Sequence, residues 1–442
     1  MVSVDNVNLD VLELVFAHLS GNDLASIALV SRSFFAGVIP RLYSTLLFRL
    51  SHAKRYPRIM TPFAAVAAHP EFAIHVRHVD IRTVPIVKAQ YHPKFLLECA
   101  RALELCRNIT SFRCSHPALP PFLPALEDKE RLREFRICAK LTTEQSLKLI
   151  KLSGIRNLTL DSASWNLLNV LPKWIATLQN NITTLTLFMA SELNDVVLGS
   201  VLEQLPGLLG LHVIGCPKID HIVLLGLLSH SINLESLSLT TGENSRVLPT
   251  PPPCLPSLRN LAIDVRFCSS NPPSSSVVAA ILTYLGTAAA RLGSFVVKYP
   301  DRQMVLPAPL VAQLTAAHGA GLRNASFIDC VVGAGDSLPG LCRACPRLER
   351  LEIAIPVRDL TTFTLALAKA RALRVLVDVA VHTHSPRPTL VQDNVRYMFT
   401  TVPTLRKIVS DGRIWTVRRG ELAVGLERRA ARTAGMHWFM PR

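Results

Sequence analysis

Residues 155–160 read IRNLTL, and the fold follows from how often that spelling returns. Large apolar residues at its first, fourth and sixth positions recur in frames starting at Val76, Ile109, Leu132, Ile155, Ile182, Leu208 and Leu234. The series continues at Leu258, Leu292, Leu322 and Leu348 and, in degenerate form, at Leu373 and Leu405, with successive starts 23 to 34 residues apart. The second half of each frame alternates apolar and polar side chains, the period-2 pattern of a strand. Between frames the period lengthens. Leu198, Val201, Leu202 and Leu205 stand at i, i+3, i+4 and i+7, as do Phe363, Ala366, Leu367 and Ala370. Each set makes one apolar helix face. One strand and one helix cannot bury their own apolar surface, so such units must stack. The expected fold is an α/β solenoid with a parallel sheet inside and helices outside. Proline- and serine-rich insertions at 248–257, 268–276, 299–309 and 382–389 are expected to be loops.

The frame and its spacing resemble the leucine-rich repeat, and the resemblance implies its horseshoe form. Cys216 and Cys330, each just after a frame, resemble the cysteine-containing subtype. The composition agrees. Of 442 residues 49% are hydrophobic, but only 6% are aromatic and 18% charged, an aliphatic excess suited to buried parallel strands. A mean hydropathy of +0.30 excludes disorder as the overall state. The best candidate membrane span, 277–297, is broken by Arg291, so no span is expected. The opening residues lack a basic segment ahead of an apolar one, so no secretory signal is expected. The ten cysteines are then read as reduced thiols of an intracellular chain, cytoplasmic or nuclear. Cys342 and Cys345 form a C-x-x-C without a second pair, so core-facing thiols are expected rather than a zinc site.

Residues 7–35 do not fit the repeat. Val11, Val15 and Leu19 share a helical face, with Leu12 and Phe16 beside it. Ser20 and Asp23 are spaced as a capping box for a second helix carrying Leu24, Ile27 and Ala28. Ser31 is placed to cap a third helix holding Phe34 and Phe35, with Pro40 limiting it. Three helices of this size bury little surface alone. The order Asp10-Val11-Leu12, Val15-Phe16, Leu19-Ser20, Asp23-Leu24 and Val30-Ser31-Arg32 with Phe34 resembles an F-box, although Val7-Asn8 replaces the family's leading Leu-Pro. The division expected is an F-box-like helical domain over 1–50, leucine-rich repeats over 51–415, and a basic cap or tail over 416–442.

No P-loop, G-x-G-x-x-G, H-E-x-x-H or G-x-S-x-G is present, and no cofactor, metal or catalytic constellation is expected. The net charge of +16 avoids the first 50 residues and gathers over 51–150 and 405–442. Nucleic-acid binding would rest on that charge alone and is the least favoured reading. The segment around 418–435 alternates charge with apolar residues and is expected to form an amphipathic capping helix. By strand alternation, the third and fifth positions of each frame face away from the helices and form a solenoid's usual binding row. They include Arg113, Arg136, Asn157, Thr159, Thr184, Thr186, His212, Ser236, Ser238 and Arg350, a nearly neutral set rich in Ser, Thr and Asn.

The F-box resemblance implies a substrate-recognition subunit of an SCF-type cullin-RING ubiquitin ligase. It implies a Skp-type adaptor docked at Leu12, Val15, Phe16, Leu19, Leu24, Val30 and Phe34, a cullin scaffold beyond it, and an unknown target protein on the repeats. No catalysis by the chain itself is implied. The alternative is a leucine-rich-repeat scaffold unconnected to ubiquitination, in which the helices merely cap the solenoid.

Overall fold

The computed structural model describes residues 9–19, 21–241, 247–266, 274–288, 290–300, 304–333, 335–379, 389–417, 424–428 and 438–441. The chain divides into two compact units, Met1–Leu193 and Asn194–Arg442.

The first unit opens with three helices, α1 (Leu9–Phe16), α2 (Gly21–Ile27) and α3 (Arg32–Leu42). The Ser31 side chain accepts from the Phe34 backbone N–H at 3.2 Å and starts α3 as expected. Pro40 does not end that helix, which runs on to Leu42. Ser20 lies outside the described residues. Six parallel strands follow: β1 (Thr45–Phe48), β2 (His78–Ile81), β3 (Ser111–Cys114), β4 (Glu134–Cys138), β5 (Asn157–Asp161) and β6 (Thr184–Phe188). Their register runs Thr45–His78–Ser111–Glu134–Asn157–Thr184. β1 precedes every frame read from the sequence. Helices such as Pro93–Leu105 and Trp165–Leu178 supply the crossovers that parallel strands require.

The second unit continues the pattern with β7 (Gly210–Ile214), β8 (Ser236–Thr240), β9 (Asn260–Asp264), β10 (Ser294–Lys298), β11 (Asn324–Ile328), β12 (Arg350–Ile353), β13 (Val375–Asp378) and β14 (Lys407–Ser410). Each strand from β2 to β14 begins at the third residue of its frame, and every frame's first residue is buried. The fourth position packs beneath, as with Leu211, Leu237, Leu261 and Phe295. The two helix faces read from the sequence are buried at all eight positions. Each unit is thus an α/β solenoid of the leucine-rich-repeat kind.

The insertions behave in two ways. Between β8 and β9 the described residues 247–259 contain neither helix nor strand. In contrast, 299–309 contains the short strand Met304–Val305, and Pro307 and Pro309 flank the start of the helix Ala308–His318. Proline suits a first helical turn, where its missing N–H is not needed. The helix Ser274–Thr287 likewise starts inside 268–276. Residues 380–388 lie outside the described set.

β14 turns at Asp411-Gly412, both at positive φ, into β15 (Arg413–Val417), which pairs antiparallel with it. β15 then pairs antiparallel with β16 (Val424–Arg428). The expected amphipathic helix is therefore wrong where it is described: residues 424–428 are a strand. Their alternation also satisfies period 2, and a free strand edge offers backbone partners that a helix would leave unused. No helix among the described residues is long and apolar enough to cross a membrane.

Candidate interaction surfaces

The helical set has its own core. Leu12, Phe16, Leu24 and Val38 are buried together, with Leu19, Ile27, Ala28, Phe34 and Leu42 packed against them. The Phe16 and Phe34 rings lie 5.5 Å apart. A Cβ on Gly37 would approach the Phe16 ring to 3.1 Å, so glycine is what lets α3 come this close to α1. Of the seven residues expected at an adaptor interface, Leu12, Phe16 and Leu24 thus form the inside of the set. Leu19 and Phe34 are half-buried against it, and only Val15 and Val30 are exposed. The exposed apolar surface also includes Val11, read as part of the Val15 face but not as an interface residue, and Leu14 (69% exposed) and Leu29 (89%), which the sequence reading passed over. Val11, Leu14 and Val15 share a helical face by their spacing. Behind the set, Tyr43 and Phe35 pack on Phe72 of the turn Pro70–His75, at 4.5 and 6.4 Å between rings.

The third- and fifth-position row of the first unit is polar and ion-paired. Arg113 lies 3.3 Å from Glu134 on the next strand, with both side chains largely exposed. Arg136 lies 3.0 Å from Asp161, and this pair is mostly buried. Thr183 donates to Asn157 Oδ1 at 3.2 Å. Thr184 is half-buried, while Thr159 and Thr186 are buried. The adjacent arginines are therefore committed to carboxylates and do not form a clustered anion site. Asp161 carries half of this arrangement, yet it sits at the seventh frame position, outside the two positions read as the row.

The row of the second unit is different. His212, Ser236, Ser238, Ala262, Ser326 and Glu352 are all buried on the face that alternation points away from the helices. What accompanies them there is the chain's own segment 438–441. Ser238 donates its hydroxyl proton to the Phe439 carbonyl at 3.1 Å. With the Ser238 proton so committed, His212 Nδ1, 2.7 Å from Ser238 Oγ, is the donor of that pair. The His212 and Phe439 rings lie 6.0 Å apart. Lys298 Nζ sits 5.7 Å from the centre of the Trp438 ring. Its register partner, Asp264, is a carboxyl that burial pushes upward against the opposing pull of Lys298 and Arg266. A cavity of about 260 Å³ remains between this segment and the row, reaching Asn324, Arg350 and Glu352. Arg350 and Glu352 pair at 2.7 Å.

The cysteines belong to the core. Of those described, only Cys254 is exposed. Cys342 and Cys345 are buried, and desolvation pushes their thiols up to about 12 and about 11, which suppresses thiolate chemistry. Cys216 and Cys330 are buried after their strands. No group of three or more His, Cys, Asp or Glu side chains arranged to hold a metal occurs among the described residues.

No family model matches the chain. Among solved structures it is similar to a yeast complex of Rad7 and Elc1, at 16% identity over 86% of this chain and 91% of that one, with a TM-score of 0.42. It is similar to an internalin (InlF) of Listeria monocytogenes at 11% identity over 92% and 94%, TM-score 0.29. It is also similar to TLR13 in a complex with ssRNA13, at 12% identity over 76% and 50%, TM-score 0.35. Likenesses this distant carry no argument; the solenoid rests on the strand ladders and their register.

Proposed function

We propose that the chain is a target-recognition subunit of an SCF-type cullin-RING ubiquitin ligase. The observation that supports this reading most is the helical set: a closed core of Leu12, Phe16, Leu24 and Val38 beneath exposed Val11, Leu14, Val15, Leu29 and Val30. Exposed apolar residues of this kind suit a docking surface. In this reading a Skp-type adaptor covers them, a cullin scaffold lies beyond the adaptor, and the repeats hold a target protein. The chain catalyses nothing itself; it places a target lysine near the charged conjugating enzyme. It acts inside the cell, in the cytoplasm or nucleus. Co-purification of the full chain with a Skp-type adaptor is the test. Leu14→Asp with Val15→Asp removes the interaction and leaves the far-ultraviolet circular dichroism unchanged, because both side chains are exposed. An unmodified, folded chain that retains no adaptor ends the proposal. Leu12 and Phe16 are unsuitable for this test, since charging either disrupts the core.

The packing of Tyr43 and Phe35 on Phe72 favours a second reading, in which the helices only cap the solenoid. That reading predicts that removing residues 1–42 unfolds the first repeats. The ligase reading predicts that the repeats survive.

A further inference from the structure

The contacts of segment 438–441 are those of a bound peptide. The Ser238 hydroxyl reads a main-chain carbonyl, Phe439 O, in the turn at Trp438-Phe439, a group that any peptide offers. Phe439 itself is 2% exposed, its ring near His212. Trp438, half-buried, takes the Lys298 ammonium at its face. The floor beneath is made of short side chains, Ser236, Ala262, Ser294 and Ser326, which leave depth for aromatic rings. Arg350, the cation beside the remaining cavity, is already paired with Glu352. The floor thus offers no free charge cluster for a phosphorylated or strongly acidic segment. Small residues on successive strands, one hydroxyl that donates to a main-chain carbonyl and an aromatic-seeking cation together define a trough for an uncharged aromatic segment that turns.

We infer that the row of the second unit is a peptide groove for a turn-forming segment carrying an aromatic pair, and that the chain's own Trp438–Pro441, which turns at Trp438-Phe439, occupies it in cis. A target binds by presenting the same chemistry and displacing the resident segment. The inference shares with the proposed function only the use of the row as a receptor. It does not depend on the adaptor, and its test contains none.

A tethered occupant competes at an effective concentration far above that of a free peptide, so releasing it strengthens apparent peptide binding by about 10-fold or more. The experiment uses the full chain and a fluorescent peptide of residues 435–442, GMHWFMPR. Binding is followed by anisotropy to the unmodified chain and to a chain carrying Phe439→Asp. The expected result is at least that gain for the variant, lost again when Ala262→Phe fills the trough or when the peptide carries Asp in place of its own phenylalanine. Equal binding to both chains overturns the inference, as does no binding to the variant or binding that survives Ala262→Phe. Should Phe439→Asp disturb folding, Trp438→Ala gives the same comparison at a half-buried position, with a gain of about 3-fold expected from loss of the contact with Lys298. No gain from a folded Trp438→Ala chain overturns the inference equally. Failure here leaves adaptor docking by the helical set untouched.

Discussion

The two rows stand on strands of four or five residues, paired in parallel and starting at the same frame position, yet they are different surfaces. In the first unit Arg113, Glu134, Arg136 and Asp161 lie in cross-strand ion pairs, and Arg113 stays exposed. In the second unit serine, alanine and one histidine form a trough that the chain fills with Phe439. Backbone geometry therefore sets where a row lies, while side-chain size and charge set whether it is a charged surface or a groove. Short residues on neighbouring strands, such as Ser236, Ala262, Ser294 and Ser326, make depth; long charged ones on neighbouring strands, such as Arg113 and Glu134, make ion pairs.

The largest test asks whether the inner faces really are alike. Phe135 and Phe295 both lie buried beneath their rows. Truncation of either to alanine is expected to cost about 3–5 kcal/mol in denaturant unfolding. A difference greater than about 2 kcal/mol between the two, at the scale of that spread, would show that the units differ below the row as well. Next in size is Asp161→Ala, which removes the carboxylate 3.0 Å from the mostly buried Arg136. A loss of about 1–3 kcal/mol is expected, measured the same way. Ser238→Ala removes the donor to Phe439 and the acceptor for His212. About 1 kcal/mol is expected, together with faster hydrogen exchange over 438–441.

A pH effect belongs to the second unit. His318 is buried, with Nε2 3.3 Å from the Leu282 carbonyl, and desolvation lowers its pKa below the ordinary 6.5. The folded state therefore resists protonation that the unfolded state accepts. The stability from neutral His318 is present above about pH 6.5 and declines as pH falls toward the lowered folded value. His318→Gln is expected to flatten that part of the stability–pH curve. Smallest of all is Arg113→Ala. Its exposed pair with Glu134 is worth at most about 0.5–1 kcal/mol, and less in high salt. A larger loss would mean that the first row is a cooperative network rather than a set of separate pairs.

The repeats were readable because strand and helix periodicity are local. Alternation within IRNLTL or LESLSL places each side chain on one of two faces whatever lies elsewhere in the chain, so the start of every strand from β2 to β14 could be read from its frame. Asp411-Gly412 is an equally local hairpin signal, but it was passed over in favour of the charge alternation around 418–435, and the antiparallel finish was missed. The helical set was readable as three helices but not as inside and outside. Leu12, Phe16, Val11, Leu14 and Val15 all look apolar, and only the approach of α3 at Gly37 decides which of them are covered. The rows show the limit most plainly. The residue types at the third and fifth positions follow from the chain's order, but Arg136 finds Asp161 twenty-five residues away and Ser238 finds Phe439 two hundred and one residues away. Pairings over such separations depend on how the ladder brings strands and chain segments together. No local pattern carries that information, so the tertiary structure alone decides which part of the row is a charged surface and which is an occupied groove.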